Sequence, residues 1–276
     1  MPVYSGSKGD DAMLKIIARL MLALALLTGS LVHAQTAPNI AVASDLRLAF
    51  SDVAAAFTRD TGLAVRPTFG SSGNFFRQLQ QGAPFELFLS ADESYVLDLA
   101  KTGKTDGDGT LYAIGRLAIV APHGSPLRLD GKLAGLRAAI RAGQIRRFAI
   151  ANPEHAPYGQ RAEEVLRGAG LWQPLAGRLV LGENVSQALQ FATSGGAQGG
   201  IIAYSLVLDP AFAHRANYAL IPASAHAPLR QRMVLMQGAG ATAQRFYAYL
   251  QAPPARRILA RHGFALPSPA LLKAKT

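Results

Sequence analysis

The sequence predicts an α/β protein of two lobes, each lobe a mixed, mostly parallel sheet flanked by helices. Short apolar runs of strand length alternate with longer stretches whose apolar residues recur at helical spacing. The alternation comes in two sets, with the runs Arg116–Ala121 and Arg232–Met236 as the crossings between lobes. Half of the 276 residues are hydrophobic and 16% are charged, a balance that favours packed cores over disorder. Strands separated by helices pair in parallel and are covered on both faces.

The N-terminal residues stand apart from this pattern. Lys15 and Arg19 precede the apolar run Leu20–Leu27, and Val32-His33-Ala34 presents small side chains at the two positions a signal peptidase reads. Residues 1–34 are therefore expected to be a cleavable secretory signal, with Met13 its natural start and Gln35 the first mature residue. The apolar run falls well short of the ~20 residues that span a bilayer. The chain has no cysteine, which excludes disulfides, thiolate metal sites, cysteine catalysis and a lipid-anchored N-terminus. A freely soluble exported protein points to the periplasm.

The elements follow in order. Ile40–Ala43 reads as a buried strand ending at Ser44. Leu46 to Thr61 carries Ala49, Phe50, Val53, Ala56 and Phe57 on one helical face, and Gly62 stops it. Leu63–Phe69 is a strand whose Pro67 suits an edge or a bulge. It ends in Gly70-Ser71-Ser72-Gly73, before a helix with Phe75, Phe76 and Leu79 inward. Phe85–Leu89 is a third strand, and Ser90-x-x-Glu93 has the spacing of a capping box. The second set comprises strands at Phe148–Ala151, Leu179–Leu181 and Ile201–Tyr204, with helices at Gly159–Arg167 and Val185–Thr193. Two helices, Thr242–Gln251 and Pro254–His262, close the chain. Lobe I is thus expected from 35–116 plus 232–276, and lobe II from 117–231.

The net charge is +11, near +10 without the signal, but the basic residues are scattered and no run of five exists. This reads as a solvated surface that raises the local concentration of anions, with no nucleic-acid partner. Catalytic patterns are missing too. Gly70-Ser71-Ser72-Gly73 is one residue short of a nucleophile elbow, and the histidines have no metal-ligand spacing. No phosphate loop ending in Gly-Lys-Ser/Thr occurs. His155 lies near the expected cleft in an Asn-Pro-Glu-His turn, which is read as structural. Tyr95, Tyr247 and Tyr249 are read as packing residues.

What remains is a set of strand-to-helix turns: Ser44, Ser71-Ser72-Gly73, Pro157-Tyr158-Gly159 and Glu183-Asn184-Val185. Each helix N-terminus presents unpaired N–H groups and roughly half a positive charge. Four such ends around one cleft supply about two charges, enough to hold a dianion without lysine or arginine. Ser44 and Ser72 add hydroxyl donors, and Tyr204, at a strand end, adds a third. Singly, each turn is no more than an N-cap.

The stretches AVASDL (41–46), FGSSGNFFRQL (69–79), GAPFELFLSAD (82–92), NPEHAPYG (152–159), ENVSQAL (183–189), GIIAYS (200–205) and FYAYLQAPPARRILARHGF (246–264) resemble, in the same order, the molybdate-binding proteins of bacterial ABC importers. The resemblance implies a two-lobed type II periplasmic binding fold that holds molybdate, or tungstate, between its lobes and passes it to a membrane permease. It implies no catalysis, no cofactor and no metal except molybdenum within the bound oxyanion; a monomer is expected. Carried over by position, Ser44 and Ser72 supply hydroxyls, Tyr158 and Val185 backbone amides, and Tyr204 its phenol. Another oxyanion, a small carboxylate, or an exported serine hydrolase using Ser44 or Ser72 are the alternatives. One residue departs from the family pattern: Asp45 stands where leucine follows the first serine in better-known members. A carboxylate beside a dianion is repulsive, so Asp45 is expected to face outward, onto the amides of its own helix.

Overall fold

The computed structural model describes residues 37–267. The expected signal, residues 1–34, lies outside the described residues. Among the described residues, no helix is long and apolar enough to cross a membrane.

The chain builds two five-stranded sheets. The first set runs β1 (Asn39–Ala43), α1 (Arg47–Thr61), β2 (Arg66–Gly70), α2 (Ser72–Gln80), β3 (Leu87–Ser90), α3 (Glu93–Ala100) and β4 (Thr110–Gly115). The second runs β5 (Leu117–Pro122), α4 (Ala134–Arg141), β6 (Phe148–Ala151), α5 (Pro157–Gly168), α6 (Trp172–Leu175), β7 (Leu179–Gly182), α7 (Val185–Thr193), β8 (Gly200–Ala203), α8 (Tyr204–Val207) and β9 (Ala216–Leu220). Then β10 (Leu229–Leu235) returns to the first sheet, followed by α9 (Ala241–Gln251) and α10 (Pro253–Arg261).

The first sheet has the order β2-β1-β3-β10-β4 and the second β7-β6-β8-β5-β9. In each, three neighbouring strands run parallel and a fourth joins antiparallel: β10 beside β3 and β4, β5 beside β8 and β9. The sheets are therefore mixed. Arg116 alone separates β4 from β5, and residues 221–228 carry the chain back. Arg232, expected at the return crossing, lies inside β10 in the first sheet, because that strand already begins at Leu229.

Local chemistry accounts for the element ends. α1 stops where Gly62 takes φ +71° and its N–H bonds to the Thr58 carbonyl, a left-handed end that suits glycine. Pro67 sits on β2, an edge strand, where one N–H is dispensable. The cap of α3 is Asp92, not Ser90: its carboxylate accepts from the Ser94 N–H at 2.9 Å, while the Ser90 hydroxyl donates to the Asp92 carbonyl. Glu93, expected to close a capping box, is the first helical residue and instead pairs with Arg230 and Arg232. Asp92 also receives Arg161 of the other half at 3.0 Å. Asp92→Ala is expected to cost about 1–2 kcal/mol through the lost cap and contact, read as a lower urea midpoint.

Both faces of the first sheet are covered. On one, Phe50, Phe57 and Phe246 meet edge to face at centroid separations of 5.4 and 5.0 Å. On the other, Phe75, Leu79, Val96 and Leu99 pack on Phe88. The second half has its own core around Leu117–Ala121, Phe148–Ala151 and Gly200–Ala203 with the faces of α4, α5 and α7. Trp172 packs at its edge with the Arg167 guanidinium 4.9 Å from its ring.

Candidate functional site

Parallel strands all end at the same edge of a sheet, so the helices that follow them start there together. That geometry gathers the turns after β1, β2, β6 and β7 around one small cavity, with an accessible volume of about 10 Å³. Ala43, Ser44 and Asp45 come from the first turn, Gly70, Ser71 and Ser72 from the second. Ala156, Pro157 and Tyr158 come from the third, Asn184 and Val185 from the fourth. Ala91, after β3, completes the wall. Among the described residues lining it there is no lysine or arginine. Pockets for drug-sized ligands start near ~300 Å³, so this one suits a small ion.

Each turn presents donors for a local reason. The Ser72 hydroxyl accepts the Ala91 N–H at 2.9 Å, which leaves its own hydrogen to give. Pro157 opens α5 and has no N–H, so the first amide of that helix belongs to Tyr158. Asn184 caps α7 by accepting from the N–H groups of Ser186 and Gln187, both at 3.1 Å; the Val185 amide is left for the cavity.

Of the five residues singled out in the sequence, four line this cavity and Tyr204 does not. Tyr204 opens α8 with its N–H bonded to the Arg116 carbonyl at 2.9 Å. Its ring lies 5.8 Å from that of Tyr218 and against Gly263, where a Cβ would come within 2.7 Å of it. The tyrosine that does line the cavity is Tyr158, for which the sequence suggested only a backbone role. Its hydroxyl donates to Asp45 Oδ2 at 3.0 Å and accepts from Gln231 Nε2 at 3.2 Å. Burial, then the Asp45 charge, holds it well above the usual tyrosine range.

Asp45 overturns its expectation. It is 1% exposed and lines the cavity instead of facing outward. Oδ2 accepts from Gln231 Nε2 at 2.6 Å as well as from Tyr158, and Oδ1 has no hydrogen-bond partner. Burial raises its pKa from the ordinary 3.8 to about 6. The hydrogen bonds from Gln231 and Tyr158 oppose that rise, as do the N–H groups of Asp45 and Leu46, although neither amide completes a bond to Oδ1. Inward placement follows from partners the local sequence does not contain: the Asp45 carbonyl is also held, by Ser205 Oγ at 2.7 Å.

Contacts cross between the halves beside the cavity. Ser71 Oγ lies 3.0 Å from His155 Nδ1, whose Nε2 is 3.4 Å from Glu183. The Gly73 N–H donates to the His155 carbonyl at 2.9 Å, Asn74 bonds Glu183, and Ser186 Oγ donates to the Ser44 carbonyl at 2.9 Å. His155 thus ties one half to the other, a role invisible in its own turn. Gln231 was also missed, although β10 does signal it. Buried residues alternate along that strand, and Gln231 takes the inner place between Leu229 and Met233.

Residues 38–265 match the family described as bacterial extracellular solute-binding protein. The chain is 35% identical to the molybdate-binding protein ModA of Rhodobacter capsulatus over 88% of its own length and 94% of the relative's. It is 33% identical to ModA of Azotobacter vinelandii over 91% and 98% of the two chains. The solved structure of the Azotobacter vinelandii periplasmic molybdate-binding protein superposes with a TM-score of 0.76 at 28% identity, covering 84% of this chain and all of that one. With two mixed sheets meeting at a ring of helix N-termini, and a family match running through nearly the whole described region, the chain belongs to the bacterial extracellular solute-binding proteins.

Proposed function

We propose that this protein captures molybdate, or its analogue tungstate, in the cavity between its halves and hands it unchanged to the membrane permease of an ABC importer. The observation that carries this reading is the wall itself: four strand-to-helix turns and no basic side chain. Peptide dipoles and neutral hydroxyls neutralise a dianion there, and the small volume limits the guest to a compact ion. The relatives named for molybdate binding support the choice of ion. Export through residues 1–34 to the periplasm, and action as a monomer with no nucleic-acid partner, belong to the same proposal.

Ser44 and Ser72 give hydroxyls and Tyr158 and Val185 give amides, two ligands from each half. An anion touching both halves favours the closed state, and the closed form is what a permease can distinguish. Donors spaced for a larger tetrahedron fit sulfate poorly. A protonated oxyanion also brings a hydrogen into a site made mostly of donors.

Calorimetric titration tests the proposal. Molybdate and tungstate are expected to bind stoichiometrically, with sulfate and phosphate much weaker; equal binding of all four would refute the selectivity. Ser72→Ala is expected to weaken molybdate binding by roughly 1.5–3 kcal/mol, the worth of a hydrogen bond to a charged group. Unchanged affinity would remove Ser72 from the ligand set.

The row Ser71, His155, Glu183 favours a second reading, an exported hydrolase, because hydroxyl, imidazole and carboxylate stand in the order of a nucleophilic triad. Ser71 is only 4% exposed and the row spans the two halves, which suits a clasp better. A serine-reactive phosphonate that labelled Ser71 would favour the hydrolase; an unlabelled protein that binds molybdate would discard it.

A further inference from the structure

Asp45 alone, among the described residues lining the cavity, carries a carboxyl group. Its two oxygens are unequally served. Oδ2 takes the Tyr158 hydroxyl and the Gln231 amide, whereas Oδ1 is buried with no partner in the protein. A buried carboxylate oxygen with no donor is unfavourable by itself, and a dianion brought beside it makes matters worse. A hydrogen on Oδ1 removes both problems, because it cancels the charge and supplies the wall with one more donor.

We infer that Asp45 binds the oxyanion as the neutral acid, its Oδ1 hydroxyl donating to an anion oxygen, so that each anion captured takes up one proton. The inference rests on the anion site proposed above. Charge balances plainly: a dianion and a carboxylate enter, one proton comes from solvent, and the closed complex carries two negative charges instead of three. The unequal bonding fixes which oxygen is protonated, since Oδ2 already faces two donors and has no use for a third.

The surroundings fit such a switch. Tyr158 on α5 and Tyr112 on β4 are the titratable groups facing Asp45, and burial holds both phenols neutral. Gln231 on β10 and Ser205 on α8, its other partners, do not titrate. His155, with Glu183, lies beyond Ser71 on the same wall and must be separated by experiment. Burial already brings the Asp45 carboxyl to about 6, so at pH 7 its neutral form is about tenfold less populated than the charged one. A bound dianion readily offsets that factor.

The test is titration of the purified protein and its Asp45→Asn variant with molybdate between pH 6 and 8.5. Asparagine keeps an acceptor for Tyr158 and Gln231 and offers a permanent N–H where the acid offers O–H. Wild-type affinity is expected to fall by up to about tenfold per pH unit above pH 6.5, by proton linkage. The variant is expected to show a flat profile and to bind more tightly than wild type at pH 8. Repeating the wild-type titration at pH 7.5 in two buffers of unlike ionisation enthalpy should give an uptake near one proton per anion. That measurement decides the matter even if the variant does not fold. Molybdate binding with a flat wild-type profile and no proton uptake overturns the inference and leaves the site standing, as does a slope that survives in a folded Asp45→Asn. No molybdate binding by wild type at any pH overturns the site, and this inference with it.

Discussion

Gly73→Ala is expected to weaken molybdate capture by about thirtyfold or more while both halves stay folded. A Cβ at this position would lie 2.6 Å from the His155 carbonyl oxygen and 2.9 Å from the Tyr95 hydroxyl. The Tyr95 ring tip can yield, but the His155 backbone belongs to the other half of the molecule and moves only if the halves part. Parting them breaks the Gly73–His155 and Ser71–His155 hydrogen bonds and widens the cavity between Ser72 and Tyr158. Two or three hydrogen bonds at about 1 kcal/mol each give a loss of about 2–3 kcal/mol. Within α2 itself alanine is a better helix former than glycine, so the fold should tolerate the change. Gly168→Ala in α5, whose Cβ would meet open space, serves as the control and should leave affinity where it was. Equal affinities for the two variants would mean that closure does not depend on contact at His155.

Asp45→Asn is expected to make the free protein more stable above pH 6, by up to about 3 kcal/mol, and no more stable below pH 4. The sign follows from burial. The folded-state value near 6 lies above the ordinary 3.8, so between these limits the folded protein holds a proton that the unfolded chain has released. The wild type therefore loses stability as pH rises from about 4 to 6, and the loss is complete above that window. The gap corresponds to about 3 kcal/mol at 1.36 kcal/mol per pH unit. Asparagine accepts the same bonds from Tyr158 and Gln231 and never carries the charge. Urea unfolding at pH 4, 5.5 and 7.5 measures the difference. A stability gap of constant size across that range would show that Asp45 does not titrate between the two states.

Much of the architecture was legible because its signals are local. The apolar face of α1 and its stop at Gly62, the strands Asn39–Ala43 and Phe148–Ala151, and the start of α7 at Val185 all follow from spacing and caps within a few residues. Of the elements left unread, β4 has a clear apolar run, Thr-Leu-Tyr-Ala-Ile-Gly, and two others have weak patterns. β9 is an edge strand with a half-exposed sequence, Ala-Asn-Tyr-Ala-Leu, and α4 begins after a left-handed Leu133 that offers no cap, its first amides bonding instead to the Asp130 carboxylate further upstream. The expected capping box failed for a subtler reason. Its spacing was present, but Asp92 stood closer to the helix start than Ser90 and took the amide.

The amino-acid order by itself determined that turns rich in serine, glycine and asparagine follow parallel strands, and hence where helix N-termini would form. It also showed that the basic residues are scattered, with no run of five. Only the tertiary structure decided which side chains turn inward. Asp45 faces the cavity because Tyr158 and Gln231, 113 and 186 residues away along the chain, supply its donors. Tyr204 faces elsewhere because Gly263 and Tyr218 make room for its ring. Helix caps are settled over one turn of chain and can be read from it, whereas the direction of a buried polar side chain is set by whichever distant group satisfies it.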